Sequence, residues 1–269
     1  MKSYFLGTLA LFAISCQEKV KVEVTTDEDP KVIVYEEYPS DDEPTEPEAT
    51  EFYEPKVTQI TPVVNGTPPS DAIVLFDGTN FDEWVMTNDS TAVVWHLNDD
   101  KSMSVKDKSG LIQTKRNFGD IQLHIEWRSP ADINGENQSR ANSGVFLQGL
   151  YEVQVLDNND NPTYTNGQVG SIYKQSVPLV MASVPTGEWN AYDIIYHAPE
   201  FNAAGGKIKS GTITVMHNGV LVQDHVEIKG STEYIGWPKN NAHGKAPIHL
   251  QDHGDNSRVS FRNIWVREL

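Results

Sequence analysis

The stretch GTITVMHNGVLVQDHVEI, residues 211–228, decides the fold class. Ile213 and Val215 alternate with Thr212, Thr214 and Met216, the period of a strand with one buried face. Asn218-Gly219 supplies the two positive φ angles of a type I′ turn, so the two halves form an antiparallel hairpin. The rest of the chain repeats the pattern. From Ile73 onward nearly every apolar run is short, alternating and closed by Gly, Asn, Asp or Pro. The runs are IVLF (73–76), VVWHL (93–97), SMSVK (102–106), LIQT (111–114), IQLHIEWRS (121–129), GVFLQGL (144–150) and YEVQVLD (151–157). WNAYDIIYHA (189–198), PIHLQDH (247–253) and VSFRNIWVREL (259–269) complete the set. No long stretch sustains a 3.6-residue apolar period, and no repeat period appears, so few helices and no propeller are expected. Short strands without βαβ alternation predict an all-β protein of two packed antiparallel sheets, a sandwich or jelly roll.

The N-terminus reads differently. MKSYFLGTLALFAISC has one early cation (Lys2) and an apolar run from Tyr4 to Ile14, too short to span a bilayer but shaped like a secretory signal. Ala13-Ile14-Ser15-Cys16 resembles a bacterial lipobox, with Ala13 in place of the usual Leu; a plain signal peptide is the alternative. Cys16 is the only cysteine, so no intramolecular disulfide is available and a lipid-modified role needs none. Residues 1–16 are therefore expected to be a lipoprotein signal, with Cys16 anchoring an extracytoplasmic protein to the membrane. Residues 17–71 hold fifteen acidic residues against four basic ones, net −11, with recurrent Pro: an extended, disordered linker. The runs KVKVEV and KVIVYEEY within it would also suit an added strand. Once the +1 of Lys2 is counted, −7 is left for residues 72–269. A mildly acidic domain argues against nucleic-acid binding, whose phosphate contacts need a basic face.

Strand alternation sorts side chains by face. In IQLHIEWRS, Leu123, Ile125 and Trp127 oppose His124, Glu126 and Arg128. In YEVQVLD, Tyr151, Val153 and Val155 oppose Glu152 and Gln154. In PIHLQDH, Ile248 and Leu250 oppose His249, Gln251 and His253. Solvated outer faces are the ordinary explanation. Three faces carrying His/Glu/Arg, Glu/Gln and His/Gln/His are instead the inventory for acid–base work on a hydroxylated ligand, if the strands neighbour one another. Strict alternation places Asp157 on the core side. Either a β-bulge near Val155-Leu156 re-aims it to the Glu152 face, or it opens the turn DNNDNP in an Asx role. Trp127, Trp189 and Trp265 sit in apolar alternation and suit the core; Trp237, in YIGWPKNN, and Tyr173, in GSIYKQ, are loop aromatics suited to a ligand. His249 and His253 share a face but lie more than about 10 Å apart along a strand, a poor pair for one metal ion. No HExxH, paired-Cys or EF-hand spacing occurs, and no GxSxG or Gly-rich phosphate loop. No cofactor is evident; whether a divalent ion assists is left open.

The segments FDGTNFDEW, IEWRSP, NSGVFLQG, YEVQVLD, GSIYKQ, GEWNAYDI, MHNGVLV, PIHLQDHG and VSFRNIWV occur in the order found in the 3-keto-disaccharide hydrolase family. The chain resembles that family over about residues 72–269. The resemblance implies a concanavalin-A-like jelly roll acting on glycosides oxidised to the 3-keto form. A ketone at C3 acidifies the C2 proton; a base removes it, the enolate expels the C1 substituent, and water adds back. Such chemistry needs a base near C2, an acid for the leaving oxygen and donors facing the enolate oxygen. Carried onto the matching motifs, the implied site comprises Glu126, Arg128, Glu152, Gln154, Gln251 and His253. Glu152 and His253 would be the acid–base pair. Arg128 and Gln154 would polarise the ketone or grip hydroxyls, Glu126 would orient the guanidinium, and Asn142 would add a donor. YEVQVLD also resembles the E-x-D-x-x-E motif of jelly-roll β-glucanases, but with Gln154 at the centre and Asp157 at the end, which argues against two-carboxylate chemistry. A non-catalytic carbohydrate-binding module and a conventional β-glycosidase are the rival readings.

Overall fold

The computed structural model describes residues 45–269. The expected signal segment with Cys16, and the expected linker as far as residue 44 with its two alternating runs, lie outside the described residues. What is described falls into two units. Residues 45–57 contain one 3₁₀ turn, Pro47–Thr50. Residues 58–269 form the second unit, in which Ser70 N donates to Thr61 O (3.0 Å) and Asp71 pairs with Arg267 (2.6 Å).

The second unit is all-β with two main sheets, as alternation predicts. One sheet runs Val220–Glu227, Thr212–His217, Asn190–His197, Ile121–Arg128, Ser260–Glu268, Met103–Ser104, His96–Leu97, and Ile73–Phe76 also pairs with Ser260–Glu268. The other runs Trp84–Met86, Ile112–Thr114, His249–Leu250, Ser143–Leu147, Tyr151–Val155. Every ladder between named strands is antiparallel. The remaining helical elements are two 3₁₀ turns, Asn137–Ser139 and Thr165–Gly167, and no helix among the described residues is long and apolar enough to cross a membrane. Several expected strands are shorter than their runs: VVWHL pairs only at His96–Leu97 and PIHLQDH only at His249–Leu250. Trp84–Met86, Glu200–Phe201 and Lys207–Lys209 are too short for alternation to announce.

The core is the layer between the sheets. Leu123, Ile125, Trp127, Tyr192, Ile194 and Phe261 from one meet Trp84, Ile112, Val145, Leu147, Val153 and Leu250 from the other. Apolar burial of this kind contributes about 25 cal/mol per Å² and is the main force closing the sandwich. Two buried phenols bridge the layers: Tyr192 OH donates to Gln154 O (2.7 Å) and Tyr196 OH to Gln148 Oε1 (2.6 Å). Each bond satisfies a phenol that burial would otherwise leave unpaired. Trp127 is buried in the core as expected; Trp265 is buried on the outer face of its sheet instead, stacked on His124 with ring centres 5.2 Å apart, and Trp189 is only half-buried, with the guanidiniums of Arg128 (4.5 Å) and Arg262 (4.1 Å) over its ring.

Candidate active site

The site forms on the face of the five-stranded sheet turned away from the core. Ser143–Leu147 and Tyr151–Val155 pair with Gly144 opposite Gln154 and Phe146 opposite Glu152. The ladder with Ser143–Leu147 uses the backbone of residues 151, 153 and 155, so the amides of Glu152 and Gln154 point the other way. The segment 170–173 meets them there. Gln154 N donates to Ser171 O (3.0 Å), Gly170 N to Gln154 O (3.0 Å) and Tyr173 N to Glu152 O (3.1 Å). Thr232 Oγ1 accepts from Glu152 N (3.0 Å). The loops so attached cover the polar face. Glu152 is 4 % exposed and Gln154 0 %, where simple alternation would leave a solvated surface.

The result is a pocket of about 270 Å³ lined by Asn142, Phe146, Glu152, Gln154, Tyr173, Thr232, Tyr234, Gln251 and His253. Six of the residues singled out from sequence therefore converge: Asn142, Glu152, Gln154, Tyr173, Gln251 and His253. Phe146, Thr232 and Tyr234 were missed. Phe146 was readable, because it alternates with Gly144; Tyr234 sits in the YIGW loop that drew attention only for Trp237.

Glu152 is the unusual group. Burial pushes its carboxyl up to about 8, so it is largely protonated at neutral pH. The side-chain oxygen of Gln154 lies 3.2 Å from Glu152 Oε1, a contact that needs either a proton on the carboxyl or a turned amide. Space for the carboxyl comes from an absent side chain. A Cβ on Gly144 would stand 2.3 Å from Glu152 Oε1 and 2.8 Å from Phe146 Cε2. Gly144→Ala is accordingly expected to cost about 1–3 kcal/mol by overpacking, read as a lowered Tm, and to displace the carboxyl.

His253 stands across the sequence from Glu152 but on the same pocket. Its Nδ1 is held by Asp255 Oδ2 at 2.9 Å, leaving Nε2 as the free ring nitrogen. Gln251 is fixed through its backbone, by Gln251 N to Gly144 O (3.1 Å) and Ser143 Oγ to Gln251 O (2.7 Å). Its side-chain Oε1 is buried with no partner, an acceptor set for a ligand hydroxyl. Asn142 Nδ2 is engaged by Gln138 O (2.8 Å). Tyr173 OH shares a 2.6 Å hydrogen bond with Tyr164 OH, and burial raises the Tyr173 phenol so that it keeps its proton.

Four expectations need correction. Glu126 and Arg128 do not reach the pocket. Their strand belongs to the other sheet, and the outer faces of a sandwich point in opposite directions. Burial alone would raise the Glu126 carboxyl, but contacts from His124, Asn263 (2.8 Å) and Arg262 (2.5 Å) hold it at about 2. His124, lowered by burial but raised more by Asp193 and Glu126, lies at about 9. Arg128 donates to Asp100 Oδ2 (2.7 Å) and lines a separate cavity of about 670 Å³ with Ser104, Ser260 and Arg258. Asp157 does not bulge towards Glu152 either. The ladder runs in regular register to Val155, and Asp157 then takes the Asx role, accepting from Asn159 N (3.1 Å). Ser129 Oγ (2.6 Å) and Arg140 Nε (3.3 Å) complete its buried environment, which makes it structural. Trp237 lines a hollow beside the pocket, not the pocket itself. Among the described residues no group of three His, Cys, Asp or Glu side chains is placed to hold a metal ion.

Comparison with known proteins agrees with this fold. A solved structure from Parabacteroides distasonis, provisionally assigned as a glycosyl hydrolase, is 53% identical, with a TM-score of 0.80 over 83% of this chain and 97% of that one. A second from the same organism, with the same provisional assignment, is 21% identical with a TM-score of 0.56, over 74% of this chain and 94% of that one, a likeness of fold alone. No curated protein matches the chain. The family model described as a 3-keto-alpha-glucoside-1,2-lyase-like domain matches residues 71–267, the span that carries both sheets and every residue of the pocket. By that match the chain belongs to the 3-keto-alpha-glucoside-1,2-lyase-like family.

Proposed function

We propose that the protein cleaves 3-keto-glycosides, breaking the bond between C1 and the glycosidic oxygen by elimination. One observation carries this reading. Glu152 is the sole carboxyl lining a polar pocket of about 270 Å³, and it is held protonated by burial. Double displacement at an unoxidised sugar needs two carboxyl groups facing each other across the bond. An elimination needs one acid and one base. His253 Nε2 removes the C2 proton, which the neighbouring ketone acidifies, and the electron pair moves to the C3 oxygen as an enolate. As the enolate collapses, the C1–O bond breaks and Glu152 gives its proton to the departing oxygen. The products are an enone and an alcohol. Water adding to C1 of the enone regenerates the 3-keto sugar, so the net reaction is hydrolysis. The Gln251 amide suits the enolate oxygen and the sugar hydroxyls, while Gln154, fully buried with its Nε2 on Gln138 Oε1 (3.0 Å), braces the Glu152 side of the pocket.

Family membership and the 53% identical neighbour support action on glycosides in general. The Glu152 carboxyl and the His253–Asp255 pair favour an enzyme over a binding module, which would need amides and aromatics alone. The lipobox-like run ending at Cys16 supports an extracytoplasmic, lipid-anchored setting, without nucleic-acid partners. The test is direct. In D₂O the protein should exchange the C2 proton of a 3-keto-glucoside and release its alcohol, and leave the unoxidised glucoside intact. Cleavage of the unoxidised glucoside at an equal rate would sink the proposal.

A further inference from the structure

Beside the Glu152 pocket lies a second hollow of about 220 Å³, walled by Tyr173, Lys174, Gln175, Glu233, Trp237 and Pro238. Tyr173 lines both spaces, and Tyr234 closes the first of them. The loop that supplies Tyr234 and Trp237 is pinned at its neck. Ser231 N donates to Lys239 O (2.8 Å), and Glu233 pairs with Lys239 (3.2 Å). Lys174 donates to Tyr234 O and sits 4.5 Å from the centre of the Tyr234 ring. From this fixed neck Tyr234, Ile235 and Trp237 project with 73 %, 82 % and 89 % of their surface exposed. Three large apolar side chains gathered at the lip of a pocket mark a contact surface.

Of the polar side chains lining the hollow, that of Asn166 makes no hydrogen bond, whereas those of Lys174, Gln175 and Glu233 are already engaged. Gln175 donates to Gly230 O (2.9 Å) and accepts from Lys229 N (2.9 Å). Glu233 accepts from Ser231 Oγ (2.9 Å) as well as from Lys239. A second sugar ring would find few free partners for its hydroxyls there, whereas a flat apolar ring would find aromatic faces. We propose that the hollow and the tip of the 231–239 loop form the leaving-group subsite, selective for an aromatic aglycone. The assignment rests on the elimination reading, in which the departing oxygen lies beside Glu152.

The test compares methyl and 2-phenylethyl 3-keto-glucosides, whose leaving alcohols are of similar basicity. In Trp237→Ala the ratio of kcat/KM for the phenylethyl over the methyl substrate should fall about 10-fold, mostly through KM, as loss of one aromatic contact predicts. An unchanged ratio, or a larger loss on a 3-keto-disaccharide than on the phenylethyl substrate, overturns the subsite. Should the wild-type protein turn over neither glycoside, the catalytic reading fails and binding still decides the subsite. The emission of exposed Trp237 should shift to the blue with unoxidised 2-phenylethyl glucoside, and Ile235→Ala should weaken that binding about 5-fold, on the order of one lost side-chain contact. No shift in the wild-type protein overturns the proposal.

Discussion

Glu152→Gln is expected to lower turnover of a 3-keto-glucoside by about 10²–10⁴-fold, the usual contribution of a positioned proton donor, while making the fold more stable at pH 8. The two effects have one cause. Burial raises the folded-state pKa of Glu152 to about 8 from an ordinary value of 4.5. The folded protein thus holds a proton that the unfolded chain releases, and stability is greatest below pH 4.5. It declines by about 1.4 kcal/mol per pH unit as pH climbs towards 8, then levels off. An amide cannot ionise, so the variant escapes that decline, and its new N–H can donate to the Gln154 oxygen that faces Glu152 Oε1. Thermal melts should coincide near pH 4.5 and separate by several degrees at pH 8, the variant higher. Wild-type turnover should fall as pH rises through about 8, because the acid form is the active one. The variant should still exchange the C2 proton into D₂O, since that step does not need Glu152. A variant that melts lower than wild type at pH 8 would contradict the buried, protonated carboxyl.

His253→Ala should cost a similar about 10²–10⁴-fold in turnover and abolish C2 exchange as well, which separates base from acid. The hydrogen bond from Nδ1 to Asp255 fixes the tautomer that leaves a lone pair on Nε2. Asp255→Asn should therefore be impaired through ring orientation, with less loss than removal of the ring. His253 lies exposed at the pocket mouth, so its removal should leave Tm almost unchanged, within about 0.5 kcal/mol of stability. A large fall in Tm would point to a structural role instead, and full C2 exchange in the variant would move the base elsewhere.

The fold class is legible because Ile121–Arg128, Asn190–His197 and Thr212–His217 bury every second side chain, and because Asn218-Gly219 fixes a hairpin. The same alternation places Glu152, Gln154, Gln251 and His253 on outward faces. It cannot tell which sheet a strand joins. Glu126 and Arg128 share the chemistry of the site residues but face the opposite way, because Ile121–Arg128 pairs with Asn190–His197 and Ser260–Glu268, not with Tyr151–Val155. Asp157 illustrates a second limit. Its partners Ser129 and Arg140 are 28 and 17 residues away in sequence, so nothing local announces that a core-side carboxylate is paired. The burial of Glu152 depends on loops 170–173 and 232–234 closing over it, a tertiary event with no strand-level signature.

The closure by residues 170–173 has a consequence for self-association. Tyr151–Val155 is the last strand of its sheet, and an open strand edge is a template for pairing with another chain. Here Ser171, Gly170, Tyr173 and Thr232 take up the outward backbone groups of Glu152 and Gln154. The segment that walls the pocket in also denies that edge to a neighbour, so trimming it to widen the pocket would open the edge to aggregation.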